Sequence, residues 1–171
     1  HPLYPFYRTF SLIACGRYFE YPIYRIVQQG TTKLINMTLL KIISGGQTGV
    51  DRAALDVAIE MKIPYGGWCP KGRLAELGTT IPTKYILQET TSAKFEERTK
   101  LNIRDSDGTL ILVPETPIKV TDGTILTIEE VKFVHKPFLI IDLSKKISPE
   151  IIAAWIDENN IETLNIAGPR E

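Results

Sequence analysis

Little in this chain of 171 residues points to thiol or metal chemistry. It holds two cysteines, two histidines and two methionines. Cys15 and Cys69 make no disulfide framework, so a reduced, cytoplasmic setting is the default. No histidine pair, cysteine pair or carboxylate cluster has metal-ligand spacing, and no directly bound metal is expected. Cys69 has no histidine nearby and reads as a small apolar packing residue. His135 stands alone before Lys136-Pro137 and reads as surface or cap. Charge of one sign is not in excess either, with 20 basic and 20 acidic residues. That argues against nucleic acid as a partner. No apolar run approaches the roughly 18 residues of a membrane span, so no membrane partner is expected. What remains is an ordinary globular composition, 43% hydrophobic, and length for one domain with a core.

The first 36 residues stand apart. They hold eight of the chain's fifteen aromatics and four basic residues against one acidic. They show no period of 2 or 3.6. The first methionine is Met37. Residues 1–36 read as an extension outside the domain, upstream sequence carried along in frame, and residues 37–171 as the domain itself. An added helix or edge strand is the weaker alternative. Leu12-Ile13-Ala14-Cys15 fits a lipidation box, but the apolar segment before it is short and follows Pro2 and Pro5.

From Met37 onward strands and helices alternate. Strands are expected at Leu39–Ile43, Ile63–Trp68, Thr109–Val113, Pro137–Ile141 and Glu162–Ala167. Helices are expected at Val50–Met61, from Ser92 to about Asp105, at Thr124–Val134, and from Pro149, capped by Ser148, to Glu158. Val50, Ala53, Ala54, Val57 and Met61 share one face of the first helix; Ile151, Ile152, Trp155 and Ile156 form the stripe of the last. Cys69–Thr91 reads as irregular. The pattern predicts an α/β fold, a doubly wound and mostly parallel sheet with helices on both faces. The chain stops at Glu171 in a turn. The helix that would cover the last strand is absent, which we read as truncation.

The densest chemical signal is Ser44-Gly45-Gly46-Gln47-Thr48-Gly49-Val50-Asp51-Arg52, between the first strand and the first helix. Glycines let a backbone approach a phosphate, and the first amides of a helix have no partner inside it. The helix dipole adds roughly half a positive charge there. Such a turn also arises where positive φ is needed without any ligand. It is not a Walker A loop: three residues, not four, separate Gly45 from Gly49, and Val50-Asp51 replaces Lys-Ser/Thr. Nor is it Gly-x-Gly-x-x-Gly, since Gly45 and Gly46 are adjacent. The expected contacts are amides of Gly45, Gly46, Gln47, Thr48 and Gly49 with the Thr48 hydroxyl. Asp51 would cap the helix or orient a ligand hydroxyl. Arg52 would reach the pocket or pair on the surface. Lys71 and Arg73, flanking Gly72, suit phosphate. Gly123 and Thr124 open another helix, and Arg170 follows the last strand, where it can clamp a phosphate bidentately. The turns at Gly45–Gly49, Thr121–Thr124 and Gly168–Glu171 should leave one edge of the sheet. The expected partner is a small phosphate-bearing ligand, with a homo-oligomer left open.

Four blocks carry a family resemblance. They are the Ser44–Asp56 stretch just quoted with Ala53-Ala54-Leu55-Asp56, then Gly66-Gly67-Trp68-Cys69-Pro70-Lys71-Gly72-Arg73, Arg104-Asp105-Ser106-Asp107-Gly108-Thr109-Leu110-Ile111, and Asn165-Ile166-Ala167-Gly168-Pro169-Arg170-Glu171. Together they closely resemble the "putative molybdenum carrier" family, also described as a circularly permuted branch of the SLOG superfamily of Rossmann-like nucleotide-binding proteins. The resemblance spans about Met37 to Glu171. It implies a Rossmann-like fold with a phosphate-lined pocket. It implies as ligand the molybdenum cofactor, whose molybdopterin bears a phosphate, or a nucleotide. The function implied first is binding and carriage of that ligand. A nucleotide N-glycosidic hydrolase of the phosphoribohydrolase kind, or a nucleotide-sensing module, is the alternative, and enzymatic activity is left open. Related SLOG hydrolases carry Gly-Gly-x-Gly-Thr followed closely by a glutamate. Here Thr121-Asp122-Gly123-Thr124 stands in that place, Thr127 lies three residues past Thr124, and the acids are Glu129 and Glu130. A hydrolase would need Glu129, Glu130 or Asp51 beside the pocket.

Overall fold

The computed structural model describes residues 41–118 and 123–170. The expectations placed on residues 1–36, Leu39, Leu40, Thr121, Asp122 and Glu171 lie outside the described residues. Along the chain run β1 (Lys41–Ile43), α1 (Val50–Glu60), β2 (Tyr65–Gly66), β3 (Trp68–Cys69), two short 3-10 turns (Lys71–Arg73 and Glu76–Gly78), β4 (Gln88–Glu89) and α2 (Phe95–Arg104). Then come β5 (Gly108–Val113), α3 (Gly123–Phe133), β6 (Phe138–Asp142), α4 (Pro149–Glu158) and β7 (Thr163–Ala167). Five strands form one sheet in the order β2-β1-β7-β5-β6, and every pairing in it is parallel. β3 and β4 form a separate parallel pair.

Period-two patterning explains the layers. All six residues of β5 are buried, as a strand covered on both faces requires. Leu110 and Leu112 enter a core with Ile42, Leu164 and Ile166, roofed by Val50, Ala53, Ala54 and Val57 of α1 and by Ile152 and Ile156 of α4. Ile111 and Val113 point the other way, against Ile103 of α2 and Val131 of α3. Each fully buried Leu or Ile contributes about 1.5–3 kcal/mol. The sheet is a Rossmann-like, doubly wound one.

Three expectations shift locally. The strand read as Ile63–Trp68 is two, broken at Gly67, whose φ is +128° and whose missing Cβ would run into the Ser44 carbonyl. The helix read from Ser92 starts at Phe95: the Ser92 hydroxyl accepts the Lys94 amide, and the Glu97 carboxylate accepts the Ser92 amide. Ile151 leaves the stripe of α4 and is 60% exposed, because one residue turns the helix by about 100° away from buried Ile152.

The position of β7 sets the site. In the common doubly wound order 3-2-1-4-5 the middle strand is the first in sequence. Here the middle strand is the last one. Parallel pairing sends the segments after β1, β5 and β7 out of one edge, so Gly45–Gly49 and Gly168–Arg170 meet there.

Candidate functional site

Ser44 fastens the start of the loop. Its hydroxyl donates to the Ile166 carbonyl on β7 (2.7 Å) and its amide to the Gly66 carbonyl on β2 (3.1 Å). Gly46 (φ +77°) and Gly49 (φ +75°) take the left-handed turns that bring the chain onto the N-terminus of α1. The following amides face acceptors. Gln47 N–H donates to Asp51 Oδ2 (3.3 Å), Thr48 N–H to Glu76 Oε2 (3.5 Å) and Val50 N–H to the Pro169 carbonyl (3.3 Å).

Three guanidinium groups surround this loop. Arg98 of α2 pairs with Asp51, Nη1 to Oδ2, at 3.3 Å. Both are buried, and a Cβ on Gly45 would collide with the Arg98 guanidinium. Burial pushes the Asp51 carboxyl above its ordinary range, with Arg98 pulling the other way. Arg52 donates from Nε to the Gly46 carbonyl (3.1 Å). Arg170 places Nε 2.9 Å from Glu76 Oε1, and its guanidinium lies 4.8 Å from the centre of the Phe95 ring. Beside them opens a groove of about 640 Å³ lined by residues 74–78, Phe95 and Arg170.

Buried polar atoms cluster here as well. Gln47 Oε1, Thr48 Oγ1, Arg52 Nη2 and Arg98 Nε are all shielded and have no hydrogen-bond partner among the described residues. Gln47 is 1% exposed, and its Nε2 is already given to the Leu74 carbonyl (3.0 Å). Buried polar atoms are paired in the great majority of cases. Four of the exceptions gather around the N-terminus of α1.

The other predicted residues are dispersed. Arg73 spends its guanidinium on the carbonyls of Ile81, Pro82 and Tyr85, at 2.9–3.1 Å, and so shapes the loop over Cys69. Lys71 is exposed on the 3-10 turn. Gly123 and Thr124 begin α3 beyond β5, at the same sheet edge but separated from β1 by β7. Cys69 is buried, and its thiol is pushed up by that burial. Sequence reasoning missed Arg98, Glu76 and Phe95. Arg98 carried no signal of its own, being one of three basic residues on its helix with Lys100 and Arg104.

A family model, the circularly permutated YpsA SLOG family, matches residues 42–171. The chain belongs to that family. The crystal structure of a protein from Syntrophus aciditrophicus SB at 1.45 Å resolution, named "putative molybdenum carrier protein", is 49% identical to it. That match covers 78% of this chain and 84% of the other, with a TM-score of 0.72. No curated protein matches the chain significantly. A circular permutation accords with the sheet, whose middle strand is the last in sequence rather than the first. Among the described residues, no helix is long and apolar enough to cross a membrane.

Proposed function

We propose that this SLOG protein binds a phosphate-bearing ligand at the Gly45–Gly49 loop and acts in the cytoplasm as a carrier, the molybdenum cofactor being the named candidate. The observation that carries the proposal is the cluster of Gln47 Oε1, Thr48 Oγ1, Arg52 Nη2 and Arg98 Nε, buried and unpartnered around one helix N-terminus. Hydroxyl and guanidinium donors beside loop amides suit phosphate oxygens. The amide oxygen of Gln47 accepts a hydroxyl or ring N–H of the ligand's non-phosphate part. These groups fit the phosphate of molybdopterin equally well as that of a nucleotide. The name of the Syntrophus protein favours the former. Carriage requires grip and shelter, and no acid or base. Gly123, Thr124 and Lys71 would act further out, on the remainder of the ligand.

Thermal unfolding of the full chain with molybdopterin, AMP, ADP-ribose and NAD tests this. A ligand present at a hundredfold its Kd adds about 2.7 kcal/mol of stability. The variant Thr48→Glu, which sets a carboxylate among the loop amides, should lose that increment and keep its own unliganded melting point. Normal ligand stabilisation of Thr48→Glu would refute the site. Release of free base from AMP would show turnover and refute a pure carrier.

A further inference from the structure

Glu76 is out of place at an anion site. Its Oε2 accepts the Thr48 amide at the head of the loop, and its Oε1 faces Arg170 Nε at 2.9 Å. A carboxylate of the protein therefore sits on a loop amide just ahead of α1, where an incoming anion would meet the loop. The contact to Thr48 N is long, 3.5 Å, at the limit of a hydrogen bond and easily exchanged.

Glu76 is carried by a small flap. Leu74 and Thr80 form an antiparallel bridge, the Ala75 amide donates to the Thr79 carbonyl (2.8 Å), and Thr79 N–H donates back to the Glu76 carbonyl (3.0 Å). At the tip, Leu77 and Gly78 both have positive φ (+54° and +72°), and Leu77 is fully exposed. A leucine held left-handed in solvent has gained no burial in return for an unfavourable backbone. The flap lines the groove itself, with Phe95 and Arg170 opposite.

Charge sets the ligand class. Arg52, Arg98 and Arg170 bring three positive charges to the loop, and Asp51 and Glu76 bring two negative ones. One positive charge is left while Glu76 stays, and two when it leaves. A phosphate monoester carries about 1.5–2 negative charges at neutral pH. A diester carries one. In a partly buried setting such matching counts for more than in water.

We propose that Glu76 is an internal counter-anion, displaced by the ligand's phosphate as the Leu74–Thr80 flap moves, and that this exchange selects phosphate monoesters over diesters. The proposal rests on the phosphate-binding function argued above and adds the gate and the ligand class.

Calorimetric titration of the full chain tests both. The probes are AMP and molybdopterin as monoesters and 3′,5′-cyclic AMP as a diester, with wild type, Glu76→Gln and Glu76→Asp. Glu76→Gln keeps the shape and removes the charge. It should bind each monoester about tenfold or more tightly than wild type, because no carboxylate competes. Glu76→Asp, one methylene too short to hold both Thr48 and Arg170, should fall between. Wild type should prefer AMP to the cyclic diester by at least about tenfold. Unchanged or weaker monoester binding by both variants, with wild type binding normally, overturns the gate and leaves the binding function standing. Equal binding of AMP and the cyclic diester by wild type overturns the ligand class. Failure of all three proteins to bind any of the probes overturns the binding function and this proposal together. Circular dichroism of each variant shows that the fold is retained.

Discussion

Asp51 and Arg98 meet 3.3 Å apart across 47 residues of sequence, both buried, beneath the glycine pair that opens the Gly45–Gly49 loop. This pair joins α1 to α2 and gives the loop its floor. Asp51 serves the protein's interior, holding the Gln47 amide on the same oxygen that meets Arg98. Arg98 Nε is buried and has no hydrogen-bond partner among the described residues.

Removing one partner should be costly. Arg98→Met leaves a buried carboxylate uncompensated, and a loss of about 3–5 kcal/mol is expected in urea unfolding. The double variant Asp51→Asn/Arg98→Met should lose less than the two single losses added together. The sign of the pH effect follows from burial, which already raises the Asp51 pKa. A group raised in the folded state stabilises below its unfolded pKa, and that contribution is lost as pH rises through its folded value. Without Arg98 the pKa rises further, so the deficit of Arg98→Met should be larger at pH 8 than at pH 5. Equal deficits at both pH values would show that Asp51 is not the group responsible.

Glu97 gives the opposite sign. Hydrogen bonds from the hydroxyls of Ser92 and Thr91 lower its pKa from 4.5 to about 2. It stabilises above the unfolded pKa, and this is lost as pH falls from about 4.5 toward 2. Glu97→Gln should therefore flatten the stability profile in that acid window. Because Glu97 orders the start of α2 next to Arg98, the variant should also weaken ligand binding at neutral pH. A wild-type acid slope retained in Glu97→Gln would remove this carboxylate from the account.

Arg73 and Lys71 should behave differently although they are neighbours. Arg73→Ala strands three carbonyls, those of Ile81, Pro82 and Tyr85. Hydrogen bonds to a charged group contribute about 1.5–3 kcal/mol each when buried, and these are partly exposed, so a loss of about 2 kcal/mol in chemical denaturation is expected. Lys71→Ala should stay within about 0.5 kcal/mol of wild type.

Two glycines separate steric need from backbone need. At Gly67 an added Cβ meets the Ser44 carbonyl, and φ is +128°. Gly67→Ala should fail to fold stably or lose more than about 3 kcal/mol, since the collision is with backbone that cannot yield. At Gly72 nothing lies within 4 Å of the added carbon, and only φ +76° opposes it. Gly72→Ala should lose about 1–2 kcal/mol. Similar melting points for the two variants would contradict the close approach of β2 to β1.

Which parts were legible in the chain follows from distance along it. The run Thr109–Val113 and the spacing of Val50, Ala53, Ala54 and Val57 have local causes, burial on two faces and one helical stripe; the strand formed there with Gly108 added in front, and the helix began at Val50 as expected. The resemblance in four blocks likewise held, as family membership shows. Gly67 was harder to read, because its effect depends on Ser44, just past the end of β1, lying against it.

The amino-acid order alone determined that strands and helices alternate, that the sheet is parallel, and that a glycine-rich turn caps α1, because each follows from periodicity and backbone freedom within a few residues. Only the folded chain decided which charges gather at that turn. Arg98 arrives from α2, Glu76 from a flap and Arg170 from the end of β7, while Arg73 is spent on carbonyls of its own loop. The middle place of β7 in the sheet is what brings Arg170 within reach of Glu76, and strand order leaves no periodic trace for a reader of sequence to follow.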